Sequence, residues 1–189
     1  MTDLSQYTGT WTIDPTHTTL GFAARHALVT KVRGSFQSFA GTLVLDGADP
    51  AASTAEVTID AVSITTGNAD RDAHLRSGDF FDAEHYPTIS FRSTGVRQRG
   101  DDFVLVGDLT IKDVTRPVEL AVELGGVLPL DPFGNVRAGF EATAEISRSD
   151  FGLTWNLALE TGGLLLGDKI RLQLDVAATR VSEPAVQPV

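Results

Sequence analysis

The sequence predicts an all-β fold built on an antiparallel sheet. Two observations lead there: apolar and polar residues alternate with period two through most of the chain, and short turn signals separate the alternating runs. A third fixes the strand direction, because parallel strands buried on both faces read as continuously apolar, whereas these runs are apolar on one face only. A sheet of this many strands must hide its edges, either by closing into a barrel or by splitting into a sandwich.

Taken in order, "TLGFAARHA" sets Leu20, Phe22 and Ala24 in phase, and "FAGTLVLD" and "AEVTIDAVSI" alternate in the same way. Residues 68–77 break the pattern and read as a short helical connection. Asn68 is an N-cap residue type, Asp70 and Asp72 suit the first turn, Asp72 and Arg76 are four apart, and Gly78 can end the helix. Pro87 then disfavours helix before the strand-like "TISFRS". In "FVLVGDLTI", Phe103, Leu105, Leu109 and Ile111 share a face with Gly107. "PVELAVEL" aligns Val118, Leu120, Val122 and Leu124, "FEATAEIS" aligns Phe140, Ala142, Ala144 and Ile146, and "IRLQLDVA" aligns Leu172, Leu174 and Val176. Turns are predicted at Gly47–Pro50, Gly100–Asp102, Gly125–Gly126, Asp131–Asn135 and Gly162–Gly163. The expectation is one domain over 1–189, with a core from 11 to 180 and a disordered tail from 181 to 189.

The chain of 189 residues has no cysteine, which excludes disulfides, thiolate zinc sites and thiol nucleophiles. Its net charge of −10 repels nucleic acid and anionic headgroups, so neither is expected as a direct partner. The opening "MTDLSQYTGTW" lacks the basic and apolar regions of a secretory signal, and no apolar run is long enough to span a bilayer. The expectation is a cytoplasmic protein without stable membrane insertion.

The chemistry-rich passage is "RDAHLRSGDFFDAEHYPTISF", 71–91, where acids and histidines surround the Phe80–Phe81 pair. The four histidines, His17, His26, His74 and His85, have no metal-ligand spacing beyond Asp70 with His74, so no metal site is expected. There is no GxSxG elbow and no glycine-rich phosphate loop, and no nucleophile, base and orienting group can be assembled. No catalytic residue and no cofactor are therefore assigned. Ten phenylalanines and two tryptophans lie in strands or at their ends, while Ala23, Ala24, Gly41, Ala61, Gly107, Ala142 and Ala144 occupy expected inward positions. A barrel of about eight strands holds either packed side chains or one small ligand. From pattern alone both readings stay open, with a filled core as the default.

The stretches "YTGTWTIDPTHTTLGFAARHALVTKVRGSFQSFAGTL", "NADRDAHLRSGDFFDAEHYPTISFRST", "GDLTIKDVTRPVEL" and "SRSDFGL" closely resemble the YceI-like family of lipocalin-like lipid-binding proteins, from about Trp11 to Arg180. The resemblance implies an antiparallel eight-stranded barrel around a long apolar tunnel. It further implies binding of a polyisoprenoid, isoprenoid quinone or similar long-chain lipid for carriage, storage or sensing, and a homodimer. The wall residues expected on this view are Leu20, Phe22, Phe36, Phe39, Tyr86, Phe91, Phe103, Leu105, Phe140, Phe151 and Trp155. Arg71 and Asp72 are expected to form a structural clasp, with the Arg71 guanidinium capturing a carboxylate such as Asp79 or Asp82. Leu75, Phe80 and Phe81 would pack the helical connection against the barrel. The alternatives are a lipid- or quinone-modifying enzyme using the 71–86 region and a ligand-free structural or stress-associated dimer.

Overall fold

A computed structural model describes residues 3–27, 29–160 and 162–181; most of the expected tail, 182–189, lies outside them. The strand segments are β1 (Gly9–Ile13), β2 (Thr19–His26), β3 (Thr30–Phe36), β4 (Phe39–Leu45), β5 (Thr54–Asp60), β6 (Ile64–Thr65), β7 (Thr88–Arg99), β8 (Asp102–Ile111), β9 (Val114–Leu128), β10 (Arg137–Ser147) and β11 (Leu166–Arg180). One helix, α1 (Ala69–Arg76), stands between β6 and β7.

All the pairings between these strands are antiparallel, in the order β1-β4-β5-β7-β8-β9-β10-β11, and β11 returns to β1 through Trp11 opposite Arg180 and Ile13 opposite Ala178. These eight strands close the ring that the resemblance implies, and so decide for a barrel between the two closures that the alternation left open. The other three prolong it. β2, β3 and β6 continue β1, β4 and β5 beyond short breaks at 14–18, 37–38 and 61–63, and pair among themselves and with β11.

The breaks are bonded rather than frayed. Thr18 donates from Oγ1 to the Ala177 carbonyl at 3.1 Å and accepts from the Ala177 N–H at 3.0 Å, so its side chain replaces a missing ladder rung. The second and third breaks are joined by Gln37 N–H to the Ser63 carbonyl and Asp60 N–H to the Ser38 carbonyl. The run 55–64, expected as one strand, is therefore two strands about a 3-10 turn.

Glycine has two uses in the wall. Gly107 leaves room for the Phe91 ring, since a Cβ there would come 2.4 Å from Phe91 Cζ. Gly125–Gly126, expected as a turn, lies inside β9. The register slips there, pairing Gly139 with Gly126 and Phe140 with Leu124, and Gly126 has φ +104°. This is a β-bulge, for which Gly-Gly is as good a signal as it is for a turn.

The two ends of the barrel are built differently. At one end the 3-10 turn Leu4–Tyr7 tucks under Gly126, whose N–H donates to the Tyr7 hydroxyl at 3.0 Å. At the other, α1 and the segments 77–87, 148–160 and 162–165 gather; this is called the helix end below.

Candidate functional site

Residues of one parity on each strand point inward, and the ring of apolar side chains they form does not fill itself. A cavity of about 660 Å³ runs from Leu4, Tyr7 and Pro50 to Arg71, His74 and Trp155 at the helix end. Among the expected wall residues Leu20, Phe22, Phe36, Phe91, Phe103, Leu105, Phe140, Phe151 and Trp155 line it. Phe39 and Tyr86 do not. Phe39, opposite Ile59, packs into the core without reaching the cavity, and Tyr86 sits in the loop before β7 with Lys112 Nζ 5.8 Å from its ring centroid. Missed were aliphatic wall positions such as Ile13, Leu43, Val57, Ile89, Leu120 and Leu174. Strand parity alone identifies several of them.

The glycines do more than leave empty space. Because Gly107 and Gly34 receive the Phe91 and Phe22 rings, each Cβ position lying 2.4 Å from a ring carbon, the rings lie along the wall instead of projecting to the axis. Ala23, expected inward, has the opposite parity to the lining residues Phe22 and Ala24 and lies on the outer face.

The helix end is held by polar bonds. Asn68 caps α1, its Oδ1 accepting from the Arg71 N–H at 2.9 Å. Asp72 is buried, and its carboxylate accepts from the Thr66 N–H (2.8 Å), Thr66 Oγ1 (2.5 Å) and Thr65 Oγ1 (3.1 Å), fastening the helix to the end of β6. Burial raises the Asp72 pKa, but these bonds, with the Arg76 charge, outweigh it and hold the group below its ordinary value. Arg76 donates to the Ile64 carbonyl at 2.8 Å.

The expected Arg71 clasp takes another form. Arg71 is exposed and donates to Thr66 Oγ1 at 2.7 Å and to the Thr66 carbonyl at 3.1 Å. Asp79 instead faces His74 Nε2 and Asp82 faces His85 Nδ1, each at 2.8 Å. The reason is local reach: a first-turn arginine meets the loop that precedes the helix, whereas Asp79 and Asp82 lie beyond its last turn. The Asp82 bond, followed by its charge, raises the His85 pKa. Among the described residues the half-buried guanidinium–carboxylate clasp is elsewhere. Arg137 donates to Asp131 Oδ2 at 3.0 Å and bonds Asp14, tying the β9–β10 turn to the first strand break. The "DPFGN" turn signal is the trace of it in the sequence.

Aromatic rings pack together around this end. Phe81 meets Phe36 edge-on at 5.8 Å, and Trp155 packs on His74 at 4.6 Å and Phe80 at 5.3 Å. Arg148 is buried and lines the cavity, yet its donors are directed to carbonyls: Leu153 at 2.6 Å, Trp155 at 2.8 Å and Gly167 at 3.1 Å. Burial lowers its pKa, opposed by the charge of Asp168. Of the cavity's charged lining residues, the exposed ones, Asp70 and Arg71, are both at the helix end, which marks it as a mouth. Such a site offers transfer of hydrocarbon out of water with a few polar groups at its end.

Comparison with known proteins gives the same architecture. The YceI-like domain profile matches residues 11–178. A UPF0312 protein of Photorhabdus laumondii subsp. laumondii is 42% identical over 141 residues, covering 75% of this chain and 73% of that protein. Protein YceI of Escherichia coli O17:K52:H18 matches with the same identity and coverage, 42%, 75% and 73%. Among solved structures, the Campylobacter jejuni YCEI protein superposes with a TM-score of 0.71 at 31% identity, covering 84% of this chain and 90% of that one. A polyisoprenoid binding domain from Saccharophagus degradans shares the fold, with a TM-score of 0.62 at 16% identity over 90% of this chain and 98% of its own. The profile spans nearly the whole ring, and the chain belongs to the YceI-like family.

Proposed function

We propose that the barrel binds one long-chain apolar or amphiphilic lipid, of polyisoprenoid or comparable chain type, along its axis for carriage, storage or sensing. The observation that carries this reading is the continuous apolar cavity of about 660 Å³. At roughly 30 Å³ per small group of liquid-like volume, it has room for about twenty non-hydrogen atoms. Each buried methylene contributes about 0.8 kcal/mol, so a tail of that length exceeds the roughly 4–15 kcal/mol cost of association. The fold shared with a domain named for polyisoprenoid binding adds support.

Native purification followed by organic extraction and mass spectrometry tests it. A stoichiometric long-chain lipid is expected. An extract with no lipid, together with only the bare-chain mass in native mass spectra, favours the ligand-free structural reading. The His74–Asp79 pair beside the cavity is the observation that favours an enzyme. Conversion of the extracted lipid on incubation, abolished in His74→Gln, would move the function there.

A further inference from the structure

The outer face of β2, β3 and β11 near the helix end carries the opposite sign of charge to the molecule as a whole. The chain has 25 acidic residues in 189, yet none between Asp14 and Asp46. The register sets Arg25 opposite Lys31, and Ala23 opposite both Arg33 and Arg171. Lys169 lies two residues before Arg171, opposite Ser147. These five cations occupy the face away from Phe22, Val32, Ile170 and Leu172, which line the cavity. All five are exposed, and among the described residues none takes part in an ion pair.

The acids nearby are Glu145, opposite Arg171 on β10, Asp168, which accepts from the Ser149 N–H at 3.1 Å, and the exposed Glu160 in the loop that carries Leu157 and Leu164. Farther along the same face the sign reverses, with Glu141 opposite both Asp175 and Glu123. Like charges directly opposite across a ladder destabilise it, so the Arg25–Lys31 pair works against the fold that holds it.

Next to these cations lies an exposed apolar rim. Val29, in the β2–β3 turn, is 81% exposed, and Leu157 and Leu164 are 53% and 54% exposed. They are adjacent segments: the Ala27 N–H donates to the Leu165 carbonyl at 2.7 Å, and the Leu165 N–H to the Leu157 carbonyl at 2.8 Å. His26, Leu165, Leu166 and Gly167, between the rim residues, line the cavity. Apolar surface thus runs from the outside of the barrel into its interior beside a concentration of positive charge.

We propose that this end of the barrel docks on an anionic lipid bilayer. Arg25, Lys31, Arg33, Lys169 and Arg171 meet the headgroups, and Val29, Leu157 and Leu164 meet the interface beside the cavity mouth. The use of the docked state, exchange of a lipid between bilayer and cavity, rests on the lipid-binding reading; the docking surface does not. The net charge of −10 does not forbid it, because fields are screened within about 8 Å at physiological ionic strength and the nearest charges dominate at contact. Clustered lysines and arginines add attraction to an anionic leaflet residue by residue. Nucleic acid would also attract the cations, but its backbone offers nothing to the valine and leucines.

The test is co-sedimentation of the full chain with vesicles of mixed phosphatidylglycerol and phosphatidylcholine, or of phosphatidylcholine alone. Binding of a soluble fluorescent fatty acid is measured in parallel. Partition of the wild type is expected to be at least tenfold stronger onto the anionic vesicles and to weaken with salt. Lys31→Glu with Arg33→Glu is expected to lose at least tenfold, and Val29→Asp several-fold, with fatty-acid affinity unchanged and thermal melting not lowered; relief of the Arg25–Lys31 repulsion should if anything raise it in the charge-reversed variant. Equal partition of wild type and the charge-reversed variant overturns the docking surface, as does capture of wild type by a DNA duplex without vesicle binding. Fatty-acid binding without vesicle binding overturns docking alone. Vesicle binding without fatty-acid binding supports docking and defeats the cavity reading.

Discussion

Asp72 and Arg71 are neighbours in the chain, and alanine at each is expected to do different things. Removing the Asp72 carboxylate leaves two threonine hydroxyls and the Thr66 N–H without their acceptor. Hydrogen bonds to a charged group contribute about 1.5–3 kcal/mol each, partly offset by relief of burying the charge, so Asp72→Ala is expected to cost about 2–3 kcal/mol in denaturant unfolding. Arg71 is exposed and bonds only Thr66, so Arg71→Ala is expected to cost less than about 1 kcal/mol. An Arg71→Ala loss equal to that of Asp72→Ala would restore the arginine as the clasp. The resemblance implied a structural clasp at this motif, but the partners its residues take were not legible. A sequence shows that a guanidinium and several carboxylates are near in number, and only the path of the chain around α1 decides which of them meet.

At the scale of the element, period-two alternation was enough to place β4, β5 and β7–β11 and to orient most of the wall, because parity is a property of the strand itself. The breaks at 14–18, 37–38 and 61–63 were not legible, since they are set by pairing between distant strands and stabilised by side chains such as Thr18. Tyr86 was misplaced for a related reason: outside a strand there is no parity to read. The β7–β8 pair supplies the prediction at this scale. Gly107→Val places a Cβ 2.4 Å from Phe91 Cζ and 2.7 Å from the Arg92 carbonyl oxygen, so the ring must swing toward the axis and the β7–β8 backbone must give as well. Overpacking of this kind costs about 1–3 kcal/mol. The variant is expected to fold, melt lower and bind less of a long-chain fluorescent lipid. Unchanged lipid capacity would show that the axis beside Phe91 is not part of the ligand's path.

For the whole molecule, acid is the informative perturbation. Several carboxylates are held below their ordinary pKa in the folded state. Burial opposes this at Asp14 and Asp72 but is outweighed by hydrogen bonds, from Thr16, Arg137 and His17 in the first case and from Thr66 and Thr65 in the second. Asp168 is lowered chiefly by Ser149, and Asp131 chiefly by the backbone at Asn135. A folded pKa below the unfolded value of about 3.9 gives stability that is fully present above that value and is lost as pH falls through it toward the folded values. Urea midpoints are therefore expected to be insensitive to these groups above about pH 5 and to fall steeply below about pH 4. Asp72→Asn should show a shallower fall. A midpoint that holds to pH 3 would mean that these bonds do not distinguish the folded from the unfolded chain.

Strand β11 pairs with β10 on one side and with both β1 and β2 on the other, so it is the stave that closes the ring. During synthesis the first strands leave the ribosome some 150 residues ahead of it, an interval of about 8–30 s at 5–20 residues per second. Throughout that time the growing sheet has two open edges, one of them carrying Arg25, and no enclosed lumen for a lipid to enter. The lone cations on that edge oppose pairing with another nascent chain, since charge on an unpaired strand discourages edge-to-edge association. The lumen is complete only once β11 has taken its place between β10 and the β1–β2 edge, so a lipid held along the axis would enter a closed ring rather than be folded in with the first strands.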